Sequence, residues 1–204
     1  MKNNLTKYCL IDVVQLVYFK LRTFFVCKNA RLIRYPFRIR GRQFVKIGKG
    51  FTTGFNCRID ALNFNNYNRP LIEIGNNVEI NDDVHIGAVE KVIIEDNVLI
   101  ASKVYISDHN HGNYKGDLQD SPLTTPNSRK IYTSPVFIRK NVWLGEFVCV
   151  LQGVTIGEGT IIGAMSVVTK NIPPYSIAVG SPAKVIKKFN FNINKWESIV
   201  NETS

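Results

Sequence analysis

The sequence predicts a mainly β fold: a parallel β-helix with an N-terminal helix, a protruding loop at about 107–137 and a short C-terminal helix. Three observations carry that prediction. Aliphatic residues recur every six positions, a small or β-branched residue follows most of them four positions later, and the period breaks once for a long polar segment.

Composition sets the frame. The chain has 204 residues, 45% of them apolar and 21% charged, which fits one principal folded domain and not a disordered chain. Its 26 Lys and Arg against 16 Asp and Glu give a formal charge of +10. That favours anionic partners: a phosphate-rich cofactor, an acidic glycan, an anionic membrane surface or nucleic acid. Nucleic acid is not expected, because there is no recognised binding motif and the basic residues are not interleaved with stacking aromatics. Cys9, Cys27, Cys57 and Cys149 are scattered, without a CxxC pair or zinc-type spacing. They read as small apolar fillers, and no metal is implied. No small-residue cleavage site follows the N-terminal apolar stretch, so the cytoplasm is the expected compartment.

Residues 1–44 read as a helical and basic segment. Leu10, Val13, Val14, Val17 and Leu21 follow helical spacing, while Asp12, Gln15, Lys20 and Arg22 make Tyr8 to Cys27 too polar for a membrane span. Such a helix packs on its own protein or on a partner subunit, or it lies on the inner membrane face. The basic run Lys28, Arg31, Arg34, Arg38, Arg40 and Arg42 supports the membrane reading.

Residues 45–182 carry the repeat. Ile138, Leu144, Val150, Ile156, Ile162 and Val168 are six apart, and Val142, Val148, Val154, Thr160 and Ser166 follow the first five by four. Ile74, Ile80 and Ile86, then Ile94, Ile100 and Ile106, repeat the phase with Val78, Val84, Val98 and Val104. Ile47-Gly48 and Phe51 look like a weaker opening turn. A period of six fits neither an amphipathic helix nor a half-buried strand. It fits a coil of three flat faces, with the aliphatic residue pointing inward and the small residue near each corner. Glycine after the aliphatic position, at Gly145, Gly157 and Gly163, is expected to relax the backbone where it bends. Stacked coils bury one aliphatic column and pair their backbones from coil to coil.

Two departures interrupt the phase. Eight residues instead of six separate Ile86 from Ile94, which predicts a small bulge at Gly87 to Lys91. From Ile106 to Ile138 the repeat gives way to a polar loop that starts Ser107-Asp108-His109-Asn110-His111-Gly112. So long an insertion in a regular solenoid points to function. Residues 183–204, with the amphipathic stretch Ile193 to Val200, are expected to cap the C-terminal end.

The stretch Val136 to Lys188 resembles the hexapeptide-repeat acyltransferases, in particular the galactoside, maltose and polysaccharide O-acetyltransferase group. The matching text is Asn141-Val142-Trp143-Leu144-Gly145, Gly153-Val154-Thr155-Ile156-Gly157, Val168 to Pro174, and Val179-Gly180-Ser181-Pro182-Ala183-Lys184-Val185-Ile186. The likeness extends over roughly residues 45–190. It implies a left-handed coil, a homotrimer, and acetyl-CoA held between neighbouring subunits as acyl donor. It also implies acetyl transfer to a sugar hydroxyl, and the basic N-terminal third points to surface polysaccharide: capsule, O-antigen or exopolysaccharide.

In that family a histidine at the start of the protruding loop is the general base, and His109 matches it, with His111 the alternative. An imidazole can take the proton of a poorly nucleophilic hydroxyl during direct attack on the thioester, with no acyl-enzyme. Asp108 is placed to orient the ring. Asp83 and His85, about one coil earlier, are candidates for acceptor contacts together with His111. For the cofactor, Trp143 is expected against the pantetheine arm. Gly145 and Ala164 match positions of close backbone approach, Thr169 and Lys170 match the adenine end, and Lys184 and Lys187 face the phosphates. Other readings of the same residues are an antibiotic O-acetyltransferase, a zinc-dependent carbonic anhydrase using His85, His109 and His111, and an inactive scaffold or basic-face binding protein.

Overall fold

A computed structural model describes residues 9–199. Helix α1 (Leu10–Val26) opens the fold, and the chain then winds coil by coil. The first coil holds β1 (Phe37–Arg40), β2 (Val45–Ile47) and β3 (Thr52–Thr53); the second β4 (Cys57–Ala61), β5 (Ile72–Ile74) and β6 (Glu79–Ile80). The third holds β7 (His85–Ala88), β8 (Val92–Ile94) and β9 (Leu99–Ile100). The fourth begins with β10 (Tyr105–Ser107), makes an excursion through β11 (His109–His111) and β12 (Ile131–Thr133), and resumes with β13 (Val136–Ile138) and β14 (Trp143–Leu144). After β15 (Cys149–Val150), β16 (Thr155–Ile156), β17 (Ile161–Ile162), β18 (Val167–Val168) and β19 (Ser176–Val179), the chain ends in β20 (Lys184–Asn190) and β21 (Lys195–Ser198).

Strands one coil apart pair in parallel and in register, so the coil has three sheets. The first is β1-β4-β7-β10-β15-β18, the second β2-β5-β8-β13-β16, and the third runs from β3 through β6, β9, β14 and β17 to β19. The repeat explains this arrangement: every aliphatic and i+4 residue named above, from Ile74 to Val168, is buried. Each fully buried Ile, Leu or Val stabilises the prism by about 1.5–3 kcal/mol. The ladder starts earlier than residue 45, because Phe37–Arg40 already pairs with Cys57–Asp60.

The corners bend by a different device from the expected one. Left-handed φ falls three residues after the inward aliphatic, at Asn77, Asp83, Asn97, Lys103, Asn141, Phe147 and Met165 and at Gly153 and Gly159. Gly145 and Gly157 are not left-handed. A Cβ on Gly145 would lie 2.7 Å from the backbone N of Ala164, and one on Gly157 would lie 2.3 Å from Pro174 N. These glycines therefore permit close stacking of coils instead of supplying the bend.

The C-terminal end also departs from expectation. No helix forms over the described part of Ile193 to Val200; Val200 itself lies outside the described residues, as does Tyr8 at the other end. Instead β20 pairs antiparallel with β19 and with β21. The strand is favoured because its side chains alternate between more and less exposed positions. Left-handed Asn194 helps to turn the chain, and Phe189 packs edge-on against both Phe191 and Trp196. Of the cysteines, Cys27 and Cys57 fill the core, whereas Cys9 is exposed and no filler. Burial pushes the Cys57 thiol up to about 11.

At the other end, α1 covers the first coils through Phe19 and Thr23. Phe19 meets Phe55 edge-on at 5.8 Å, and the Thr23 hydroxyl accepts the Ile33 N–H at 2.8 Å. Among the described residues no helix is long and apolar enough to cross a membrane.

Candidate active site

The excursion after β10 is a hairpin, not a structureless loop. His109, Asn110 and His111 pair antiparallel with Thr133, Tyr132 and Ile131. Beyond the stem, the Arg129 guanidinium donates to the Thr124 hydroxyl, the Thr124 carbonyl and the Tyr114 hydroxyl, which braces the distal part.

At the hairpin's root the Asp108 side chain is fully buried. Its carboxylate accepts the backbone N–H groups of Val89, Glu90 and Lys91 at 2.7–3.1 Å. These three amides belong to the two-residue bulge between Ile86 and Ile94, so the extra residues form a cradle that fits one carboxylate. The same carboxylate lies 2.9 Å from His109 Nδ1, and the Ser107 hydroxyl is 3.2 Å from that nitrogen. An Nδ1–H donated to Asp108 leaves Nε2 with the lone pair, the tautomer that a base requires. The ring borders a depression of about 390 Å³ lined by Tyr105, Ser107, Asn110, His111, Leu151 and Gln152. The carboxamide oxygens of Asn110 and Gln152 are buried there with no hydrogen-bond partner among the described residues. Buried acceptors of this kind are costly unless a ligand satisfies them.

His85 sits one coil earlier on the same sheet, paired with Tyr105 on one side and Arg58 on the other. A Cβ built on Gly87 would lie 3.5 Å from His109 Cε1 and 3.8 Å from His85 Nε2. The two imidazoles therefore flank a gap that exists because residue 87 has no side chain. Asp60, paired with Gly87, puts Oδ2 3.2 Å from His85 Nε2, and Arg58 Nη2 is 2.8 Å from the same nitrogen. Burial holds the His85 pKa below its ordinary value, and the Arg58 charge adds to that against the opposing pull of Asp60.

The other candidates fall into separate places. His111 is exposed at the rim of the depression. Asp83 is an exposed corner residue with left-handed φ, two positions before His85, and no hydrogen bond or ion pair joins its side chain to either histidine. The three histidines do not converge as a ligand set, and no group of three metal-ligating side chains occurs among the described residues. Trp143 is half-exposed on the third sheet, in a row that runs through Ile161 and Ile177 to Lys187. Gly145 and Ala164 stack at the corner after this row, and Lys184 pairs with Val179. Thr169 and Lys170 leave the far edge of the first sheet instead, one coil beyond Leu151 and Gln152. Asp60, Arg58, Asn110 and Gln152 are not singled out by the sequence, and Gly87 only as the start of the bulge. Among these, Asn110, inside the His-x-His run, and Gly87, at the break in phase, carry a local signal.

A family model described as bacterial transferase hexapeptide (six repeats) matches residues 135–170. A relative named "Putative lipopolysaccharide biosynthesis O-acetyl transferase WbbJ" of Escherichia coli K12 is 43% identical over 192 residues, covering 94% of this chain and 95% of its own. The crystal structure of a maltose O-acetyltransferase from Clostridium difficile 630 is similar at a TM-score of 0.60 and 33% identity, over 89% of this chain and 90% of that one. A galactoside acetyltransferase in complex with coenzyme A gives 0.52 and 33%, over 70% and 67%.

Proposed function

The chain belongs to the hexapeptide-repeat acyltransferase family, and from that premise we propose that it transfers the acetyl group of acetyl-CoA to a sugar hydroxyl with His109 as general base. The observation that carries this reading is the Asp108–His109 pair beside a depression containing unsatisfied acceptors. His109 Nε2 takes the hydroxyl proton as the sugar oxygen attacks the thioester carbonyl. The tetrahedral intermediate collapses, its C–S bond breaks, and the imidazolium returns the proton to the departing thiolate. Asp108 fixes the ring and stabilises its transient positive charge, as a buried carboxylate held by backbone amides can.

Acetyl-CoA lies along the third sheet, with Trp143 against the pantetheine and Lys184 and Lys187 toward the phosphates. Thr169 and Lys170 stand on another corner, which suits a cofactor shared by two subunits of a homotrimer of left-handed coils. Leu118 and Leu123, 88% and 94% exposed at the hairpin's outer part, suit contact with that neighbour. The full-length likeness to WbbJ supports surface polysaccharide as the setting. Helix α1 contacts the inner membrane face: Leu10, Val14, Val17, Leu21 and Phe24 recur at helical spacing, and all are more than half exposed. The test is free coenzyme A released from acetyl-CoA with a panel of mono- and oligosaccharides. Release that depends on a sugar supports the reading, and release with antibiotic acceptors alone replaces it.

A further inference from the structure

On the outer face of the first sheet, Arg38, Arg58, His85 and Tyr105 stand in register on four successive coils, beside a second row of Arg40, Asp60, Gly87 and Ser107. Parallel strands lie about 4.8 Å apart, so Arg38 is two rungs, roughly 10 Å, below the gap between His85 and His109.

The lower part of this strip has groups that the fold leaves unused. Arg38 is exposed, with no hydrogen bond or ion pair among the described residues. With Arg58 it walls a separate depression of about 270 Å³. Asp60 is 5% exposed, yet its Oδ1 has no hydrogen-bond partner among the described residues, and Arg40 Nε stands 3.8 Å from it. Arg58 spends Nη2 on His85; its Nε lies 2.8 Å from Asp60 Oδ2 as an ion pair without a hydrogen bond, and its Nη1 has no partner among the described residues. Three arginines against one carboxylate keep the strip positive. Guanidinium groups aligned along a strip are suited to oxyanions, which they bind through paired N–H donors.

We propose that this strip is an acceptor subsite for an oxyanion, a phosphate or a sugar carboxylate, one or two sugar rings from the hydroxyl that reacts at His109. The Arg38 and Arg58 guanidiniums hold the anion. The proposal rests on the acetyltransferase reading of the same site and makes it specific: the acceptor is an acidic or phosphate-linked glycan.

Binding measured without acetyl-CoA separates the two. Three disaccharides serve as probes: a neutral one, its 1-phosphate, and a version ending in glucuronate. Their dissociation constants are compared for the wild type, Arg38→Gln, Arg38→Lys, and Lys195→Gln as a net-charge control on the C-terminal hairpin. At least one anionic probe should bind the wild type about tenfold more tightly than the neutral one, in line with a charge-assisted hydrogen bond. Arg38→Gln should abolish that preference, Arg38→Lys keep part of it, and Lys195→Gln keep all of it. The anion that retains the preference names the source. Equal binding of all three probes, no binding of either anionic one, or an equal loss in Lys195→Gln overturns the subsite while leaving acetyl transfer to be judged by thioester turnover.

Discussion

The Asp108 carboxylate meets His109 Nδ1 at 2.9 Å while its two oxygens also accept the amides of Val89, Glu90 and Lys91. Orientation of the His109 ring and closure of the bulge therefore depend on one side chain. Asp108→Asn keeps the shape but removes an acceptor oxygen, so one of these donors is left unsatisfied in a buried place. Urea unfolding should show a loss of about 1–3 kcal/mol, alongside slower acetyl transfer. A stability equal to wild type would mean that the bulge does not need the carboxylate.

Gly87 separates the two kinds of damage. The added Cβ of Gly87→Ala meets His109 and His85 only at ordinary contact distances, so the fold should accept it. The gap between the imidazoles closes, and acceptor turnover should fall about tenfold to a hundredfold, as a displaced reactant would. The melting temperature should stay within about 3 °C of wild type. Undiminished turnover would place the sugar elsewhere.

His85 predicts a pH dependence of stability. Its folded pKa is lowered by burial and by Arg58, so between that value and the unfolded value of 6.5 the unfolded chain binds more protons than the native one. The stability contributed by neutral His85 is present above the unfolded pKa and is lost as the pH falls toward the folded pKa. Melting temperatures should begin to fall as the pH drops below about 6.5, and His85→Gln should flatten that part of the profile. An unchanged slope in the variant would assign the acid sensitivity to other groups.

Much of the fold was legible because the hexapeptide period is a direct image of the coil: Ile138 through Val168 mark the inward positions one by one. The C-terminal hairpin was not legible. Lys184 to Asn190 becomes a strand because β19 offers it an edge, a tertiary fact that local amphipathicity at Ile193 to Val200 could not reveal. The site divided in the same way. His109 and Asp108 are adjacent and stand at a break in the repeat, so the text exposes them. Asp60 and Arg58 lie two coils earlier, beyond the insertion at residues 62–70 that shifts the phase, and only stacking brings them beside His85. The bulge at Gly87 to Lys91 was visible as two extra residues, but its purpose was not, since the carboxylate it cradles is seventeen to nineteen positions away.

Helix α1 predicts binding to a membrane surface. In flotation experiments the protein should rise with phosphatidylcholine vesicles containing phosphatidylglycerol, and less with phosphatidylcholine alone or at high salt. Leu21→Glu with Phe25→Glu should abolish flotation without unfolding the protein, because both side chains are mostly exposed. A double variant that floats normally, or one that instead changes oligomeric state, would assign the face to a neighbouring subunit.

The most direct test of the central claim is sugar-dependent coenzyme A release by wild type, His109→Ala and His111→Ala measured side by side at saturating acetyl-CoA. With His109 as base, His109→Ala loses about a hundred- to ten-thousand-fold in kcat, the span of general-base catalysis, while His111→Ala retains most of its rate. Full turnover in His109→Ala, or a collapse in His111→Ala instead, contradicts the assignment.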